Sequence, residues 1–161
     1  MIVGLVLGGV LGMAGSVVPQ ANLRDICWAI DAVGLIVATI LLAIHFFRKG
    51  CDAVAAGFLV YALGESVMLT GTAATLEASV PAFAAGTALW AAGLLLVSIA
   101  NKFAAWTRLA GIVTAVLMAI ASARIFLGAD LTPLSRPLPF FAYPFLVLTF
   151  AGWIVAVIRA E

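Results

Sequence analysis

Residues 53–74 read AVAAGFLVYALGESVMLTGTAA. Only Glu65 in this stretch is charged, and Ala, Leu and Gly dominate without the strict alternation that marks a half-buried strand. A helix needs about 20 apolar residues to cross the roughly 30 Å hydrocarbon core of a bilayer. The stretch is therefore predicted to be a membrane-spanning helix, and it sets the pattern by which the rest of the chain is interpreted.

Five further stretches have the same character, and charges, prolines or glycines separate them. They are Ile2–Val18, Ile26–Phe47, Val80–Ala100, Leu109–Leu127 and Leu138–Ile158. The linkers between them are short, which forces neighbouring helices to run antiparallel. We therefore predict an all-α integral membrane protein, a compact bundle of six transmembrane helices in one domain over residues 1–161.

The composition of the whole chain agrees with this prediction. Of its 161 residues 66% are apolar and 9% are charged, with a mean hydropathy of +1.27. A soluble domain carries about 25% charged residues, so a water-soluble globule and a disordered chain are excluded. The net charge of +1 provides no basic surface for nucleic acid. The expected surroundings are a lipid bilayer.

The distribution of positive charge predicts the orientation, because Lys and Arg are enriched in cytoplasmic loops. With the N-terminus inside, the cytoplasmic linkers and tail carry Arg48, Lys49, Lys102, Arg108 and Arg159. The outer linkers carry only Arg24 and Arg136. We expect both termini in the cytoplasm of a cell whose inner membrane holds the protein.

Small residues form two regular stripes that indicate close helix packing. Gly4, Gly8 and Gly12 recur every four residues in the first span, and Gly57, Gly64 and Gly71 recur every seven in the third. Such stripes let a second helix approach closely, either within the chain or in a homo-oligomer or larger membrane complex. A cleaved signal peptide is the alternative for the first span, but no Lys or Arg precedes it, which favours a retained helix.

Six helices also divide into two groups of three, and the second group would then cross the membrane in the opposite sense. Inverted repeats of this kind recur in transporters. The internal similarity is thin: Val-Gly-Leu-Ile at 33–36 corresponds to Ala-Gly-Ile-Val at 110–113. The sequence thus suggests a 3+3 inverted repeat without requiring one.

Asp31, Glu65 and Arg124 lie inside predicted spans, where a charge costs a few kcal/mol unless it faces protein or water. Asp31 and Arg124 are expected at similar depth, with Glu65 about 6 Å nearer the middle. Tyr61 lies one turn before Glu65, where its hydroxyl could reach a carboxylate. Three interpretations remain open. Arg124 could bridge the acids in a structural ion-pair network, the residues could form a substrate or ion site, or Asp31 and Arg124 could snorkel to the interface.

Within the site interpretation, two acids against one Arg leave a negative balance, so Glu65 is the best candidate to hold a proton or meet a cation. No catalytic residue, metal site or cofactor is predicted, and no motif identifies a class of transporter, channel or membrane enzyme. The favoured function is binding or translocation of a small solute, ion or lipid through an intramembrane polar site. The alternative is a non-catalytic structural or accessory subunit, or a homo-oligomer, with an enzyme acting on lipid third.

Overall fold

A computed structural model describes residues 1–159, and this part of the chain contains six α-helices and no strand. The helices are α1 (Ile2–Val17), α2 (Ala21–Arg48), α3 (Asp52–Gly71), α4 (Val80–Ile99), α5 (Ala105–Phe126) and α6 (Tyr143–Ile158). The all-α prediction and the number of helices are confirmed. Five of the helical segments are long and apolar enough to cross a membrane, whereas α1, with 16 residues, is shorter.

Two helices begin earlier than their apolar stretches. Helix α2 begins at Ala21 rather than Ile26, and α5 at Ala105 rather than Leu109. Helical hydrogen bonding continues through polar residues, since the Arg24 and Arg108 backbone N–H groups already donate to the carbonyl four residues back. Apolar patterning marks the buried part of a helix and not its ends, so the predicted starts were too late.

The sixth helix begins later than predicted because of its prolines. Pro137 and Pro139 lack the N–H that a continuing helix would need. A 3₁₀ turn over Phe140–Ala142 follows them, and α6 starts at Tyr143. The connection over residues 127–142 is consequently the longest between helices in the described chain, longer than the linker the sequence predicted.

The helices form a ring in chain order. Each packs against its chain neighbours, and α6 also packs against α1. The loops 18–20, 72–79 and 127–142 lie at one end, which we name the long-loop end; the loops 49–51 and 100–104 lie at the other, the short-loop end. The 3+3 inverted repeat stays a prediction, because any sequential ring would give this order of neighbours.

The predicted glycine stripes lie where helices of this chain touch. A side chain on Gly4 would strike the Gly34 carbonyl of α2, and a Cβ on Gly12 would lie 2.8 Å from Asp31 Oδ2. Helices α3 and α4 meet in the same way. A Cβ on Gly57 would lie 2.9 Å from the carbonyl oxygen of Gly93.

The other glycines of the two stripes make similar contacts. A Cβ would meet Leu35 at Gly8, the Gly86 carbonyl oxygen at Gly64 and Ser79 at Gly71. Both stripes therefore serve packing within the chain.

Aromatic rings fill the interior of the ring of helices from the short-loop end toward its middle. Successive centroids lie 5.4 Å apart for Phe103 and Phe46, 5.7 Å for Phe46 and Phe58, and 4.8 Å for Phe58 and Trp153. Tyr61 continues the series 6.0 Å from Trp153, and Trp90 stacks on Tyr61. We name these six residues the aromatic column. It closes this half of the bundle.

Gly93→Ala tests the close approach of α3 and α4. The new methyl group would lie 2.6 Å from the Gly57 carbonyl oxygen and 2.8 Å from the Tyr61 nitrogen, both backbone atoms that cannot turn aside. We expect the free energy of unfolding to fall by about 1–3 kcal/mol, the usual cost of overpacking. Thermal unfolding of the purified protein in detergent measures it.

Gly9→Ala is the matched control, because its methyl group would meet only Val147 at 3.7 Å and Phe150 at 3.9 Å, both ordinary van der Waals contacts. Alanine is the better helix former by up to about 1 kcal/mol, so this variant should be as stable as the parent or slightly more so. Equal destabilisation of both variants would contradict the packing described.

Candidate functional site

Asp31 and Glu65 face one cavity. The cavity holds about 100 Å³ and lies between α1, α2, α3, α4 and α6. Helices α2 and α3 are neighbours and bring the two acids to the same space. The side chains are almost fully enclosed, with Asp31 7% and Glu65 4% exposed. We name this space the acid cavity.

Neither acid is fully satisfied by the protein. Asp31 Oδ1 and Glu65 Oε2 are buried and have no hydrogen-bond partner. Burying a polar group without a partner costs about 1–3 kcal/mol, and more when the group is charged. The acid cavity therefore holds acceptors that need a proton, a cation or water.

Tyr61 and Trp90 provide the matching donors. Their rings stack with centroids 5.1 Å apart and planes 6° from parallel. Both side chains are buried. The Trp90 indole N–H is directed at the Glu65 carboxyl group without reaching full hydrogen-bond geometry, and the Tyr61 hydroxyl has no hydrogen-bond partner. Trp90 lies beside Glu65 on the cavity wall. Tyr61 was predicted from its spacing to Glu65, whereas Trp90 was missed, although a tryptophan in the middle of a span is itself unusual.

The acid cavity extends to the long-loop end, where Asp25 and Trp28 of α2 form part of its lining. Arg24 Nε lies 3.5 Å from Asp25 Oδ1, and its guanidinium lies 5.5 Å from the centre of the Trp28 ring. The Trp28 indole N–H donates to the Gly12 carbonyl at 3.4 Å and so links α2 to α1. Arg24, Trp28 and Asp25 thus lie together where the acid cavity opens at the long-loop end, which we name its mouth.

The loop 127–142 contributes to the lining through Pro133. Tyr143, at the start of α6, donates its hydroxyl proton to the Pro133 carbonyl at 2.9 Å. This bond holds the loop against the long-loop end of the cavity. Nothing in the position of Tyr143 along the sequence pointed to the cavity.

Arg124 does not join the acids, so the predicted ion pairs of Arg124 with Asp31 and Glu65 are not formed. It is exposed in the last turn of α5 and contributes nothing to the cavity lining. The reason is rotational. Ser122 faces inward and donates to the Ala84 carbonyl of α4, and Arg124 stands about 200° further round the helix.

The lining of the acid cavity includes three acids, Asp25, Asp31 and Glu65, and no Lys, Arg or His. Within residues 1–159 no group of three His, Cys, Asp or Glu side chains is arranged to hold a metal ion. The site therefore combines buried negative charge capacity with aromatic and apolar walls. It can accept a proton or a positively charged group.

Glu65→Met tests whether Glu65 stabilises or destabilises the fold. Methionine has a similar length and needs no hydrogen bond, so the cost of the unpartnered Glu65 Oε2 disappears. We expect the free energy of unfolding to rise by about 1–3 kcal/mol. A calorimetric or circular-dichroism melt in detergent measures the change.

Ser122→Ala is the comparison variant, for which we expect a change in stability of the opposite sign. It removes a satisfied bond between α5 and α4, in which Ser122 donates at 2.8 Å, and should lower stability by about 0.5–1.5 kcal/mol. A loss of stability in Glu65→Met as large as that from breaking a buried ion pair would show that Glu65 has a structural partner.

Three comparisons with known proteins complete the description of the site. No family model, no curated protein and no solved structure matches the chain. The chemistry of the acid cavity is therefore the basis for a proposal about its function.

Proposed function

We propose that the protein is an integral membrane protein that binds a small ion or solute in the acid cavity and carries it across the bilayer. Support for the membrane setting comes first from the outer surface. Large apolar side chains stand exposed along the helices, such as Val3 at 72%, Leu109 at 63% and Leu63 at 59%. Exposure of such an apolar surface is unfavourable in water and carries no free-energy penalty in lipid.

The proposed orientation rests on the charges at the two ends. The short-loop end and the chain end after α6 carry Arg48, Lys49, Lys102, Arg108 and Arg159. The long-loop end carries Arg24, Arg136 and, because of where α5 ends, Arg124. Five positive charges at the short-loop end against three at the long-loop end favour a cytoplasmic short-loop end. The acid cavity would then open on the side of the inner membrane that faces away from the cytoplasm.

The observation that carries the binding function is the pair of buried carboxyl groups without partners. No cation lines their cavity, so Asp31 and Glu65 do not form the ion-pair network on which the structural interpretation depended. Ionisable groups kept inside a membrane without a protein partner typically mark an ion or proton pathway. A purely structural or accessory subunit is therefore the weaker candidate, because the ion-pair network on which it depended is not formed.

Translocation requires a second state. The acid cavity reaches the long-loop end, whereas the aromatic column closes the short-loop half. A carrier of this kind would alternate by opening the closed half and closing the open one. A 3+3 inverted repeat would supply such a pair of states, since each half could adopt the conformation of the other.

Cysteine labelling in intact spheroplasts tests the orientation. Cys51 lies in the short loop between α2 and α3 and is partly accessible, whereas Cys27 is buried. A membrane-impermeant maleimide should leave Cys51 unmodified until the cells are lysed. Asp130→Cys, on the loop at the long-loop end, is the matched control and should react in intact cells. The reverse pattern would overturn the proposed orientation.

Carbodiimide labelling tests the binding function. Diisopropylcarbodiimide is small and apolar and adds to a protonated carboxyl group, so in nanodiscs at neutral pH it should modify Asp31 or Glu65. Asp52, which is exposed at the start of α3 and does not line the cavity, serves as the control in the same digest. Peptide mass spectrometry locates the adduct.

The double variant Asp31→Asn with Glu65→Gln should lose the adduct while retaining its fold. Labelling of Asp52 in preference to the two buried acids would mean that the cavity carboxyls neither hold a proton nor admit a small molecule. The proposed function would then fail.

A further inference from the structure

The acid cavity has a chemical character that narrows its ligand. Its walls include the rings of Trp28, Phe83, Trp90, Tyr143 and Phe150. Aromatic faces carry partial negative charge and attract cations, ammonium and guanidinium groups above all. Walls of this kind add to the attraction of the two carboxyl groups for positive charge and repel anions.

Metal cations fit this lining poorly. Mg²⁺ and Ca²⁺ take about six or more oxygen ligands, and Asp31 and Glu65 offer the only carboxyl groups deep in the cavity. The remaining deep lining is aromatic, aliphatic or glycine, and the helix carbonyls are engaged in their own hydrogen bonds. Cations that bring their own apolar surface are favoured over bare ions.

Size limits the ligand further. The cavity holds about 100 Å³, less than the roughly 150 Å³ engineered apolar cavity that takes up benzene in another protein. A short alkyl chain with one cationic head group fits within this limit. Nucleotides and intact lipids exceed it.

Unpartnered donors provide a second observation beside the acids. Trp90 Nε1 and Tyr61 OH are buried, make no hydrogen bond of full geometry and belong to side chains that are 6% and 0% exposed; Trp90 Nε1 is directed at Glu65. Both can donate to a carboxylate and so hold it ionised and oriented toward a cation once the ligand has arrived. Donors and acceptors left open around one cavity indicate a site that is completed by its ligand.

We infer, building on the proposed function, that the ligand is a small monovalent organic cation, an alkylammonium or guanidinium compound, bound by Asp31 and Glu65 in exchange for one proton. Before binding, the two carboxyl groups are neutral acids. The cation pairs with one carboxylate, whose proton leaves to water, and the second carboxyl keeps its proton. The charge within the cavity is therefore zero before and after binding.

Exchange with a proton makes the affinity depend on pH. Lower pH favours the protonated pair and weakens cation binding; higher pH strengthens it. The titratable groups that line the cavity are Asp25 and Asp31 from α2, Glu65 from α3 and Tyr143 from α6, and Tyr61 is buried beside the two acids. Arg24 stands at the mouth, and α1 and α4 contribute no titratable side chain to the lining.

Isothermal titration of the full-length protein in nanodiscs with butylammonium tests the inference. Butan-1-ol is the neutral isostere and butyrate the anionic control. We expect butylammonium to bind at least about tenfold more tightly than butan-1-ol, since only the cation gains a charge-assisted contact. Its Kd should rise about tenfold for each unit by which the pH is lowered, the linkage of one displaced proton.

Variants locate the site. Asp31→Asn and Glu65→Gln should each weaken butylammonium binding by about 10- to 100-fold, as expected for a lost partner of a buried charge. Asp130→Asn, which removes an exposed acid at the same end of the bundle, should leave the Kd unchanged. Binding that survives in the double variant of Asp31 and Glu65 would overturn the inference.

Two outcomes separate this inference from the function on which it rests. Equal binding of butylammonium and butan-1-ol, or no binding of either, with carbodiimide labelling of Asp31 or Glu65 intact, would overturn the cation as ligand and leave the binding function standing. Loss of both cation binding and labelling would overturn both.

Discussion

Contact between helix backbones at glycine is the constraint on which the rest of this structure depends. In the proposed lipid surroundings, apolar side chains would gain nothing by leaving their solvent, so helices would associate through close packing instead. Gly57 against Gly93 and Gly64 against Gly86 bring α3 onto α4. That approach sets Tyr61 and Trp90 face to face and directs Glu65, one turn further along α3, into the cavity.

The acid cavity lowers the stability of the folded protein. Asp31 and Glu65 are buried without a counter-charge, and replacement of such groups by apolar ones often stabilises a protein. A site kept at this cost is typical of function, because a binding cavity has to leave unsatisfied what its ligand will satisfy. The aromatic column supplies the compensating rigidity, with large rings packed from Phe103 to Trp90 around the axis.

The sequence revealed the acids but not their surroundings. Asp31, Glu65 and Tyr61 could be identified because a charge within an apolar helix is costly wherever it points, and because i, i+4 spacing places Tyr61 beside Glu65. Arg124 also lies inside an apolar stretch, at the same predicted depth as Asp31, but its side chain points away from the cavity. Which face of α5 turns inward depends on the packing of Ser122 against α4, a tertiary contact with no local signature.

Trp90 and Tyr143 were beyond sequence reasoning for a related cause. Each faces the cavity because of how α4 and α6 are rotated about their own axes within the ring. The mean hydropathy of a helix does not show which of its faces turns inward. The number and order of the helices, by contrast, follow from local composition and short loops alone. Their starts were misjudged where polar residues such as Arg24 and Arg108 continue a helix beyond its apolar part, and where the prolines before α6 delay its start.

The aromatic column has an electrical consequence. A membrane potential falls mainly across the regions that water does not enter, and in this bundle the dry region is the half closed by Phe103, Phe46, Phe58 and Trp153. A charge that reaches Glu65 from the open long-loop end has therefore crossed little of the field. Each elementary charge that crosses the closed half would gain or lose about 2.3 kcal/mol per 100 mV. In the proposed exchange, however, the cavity is neutral with either the cation or the protons bound, so voltage would have little effect on the step that opens the column.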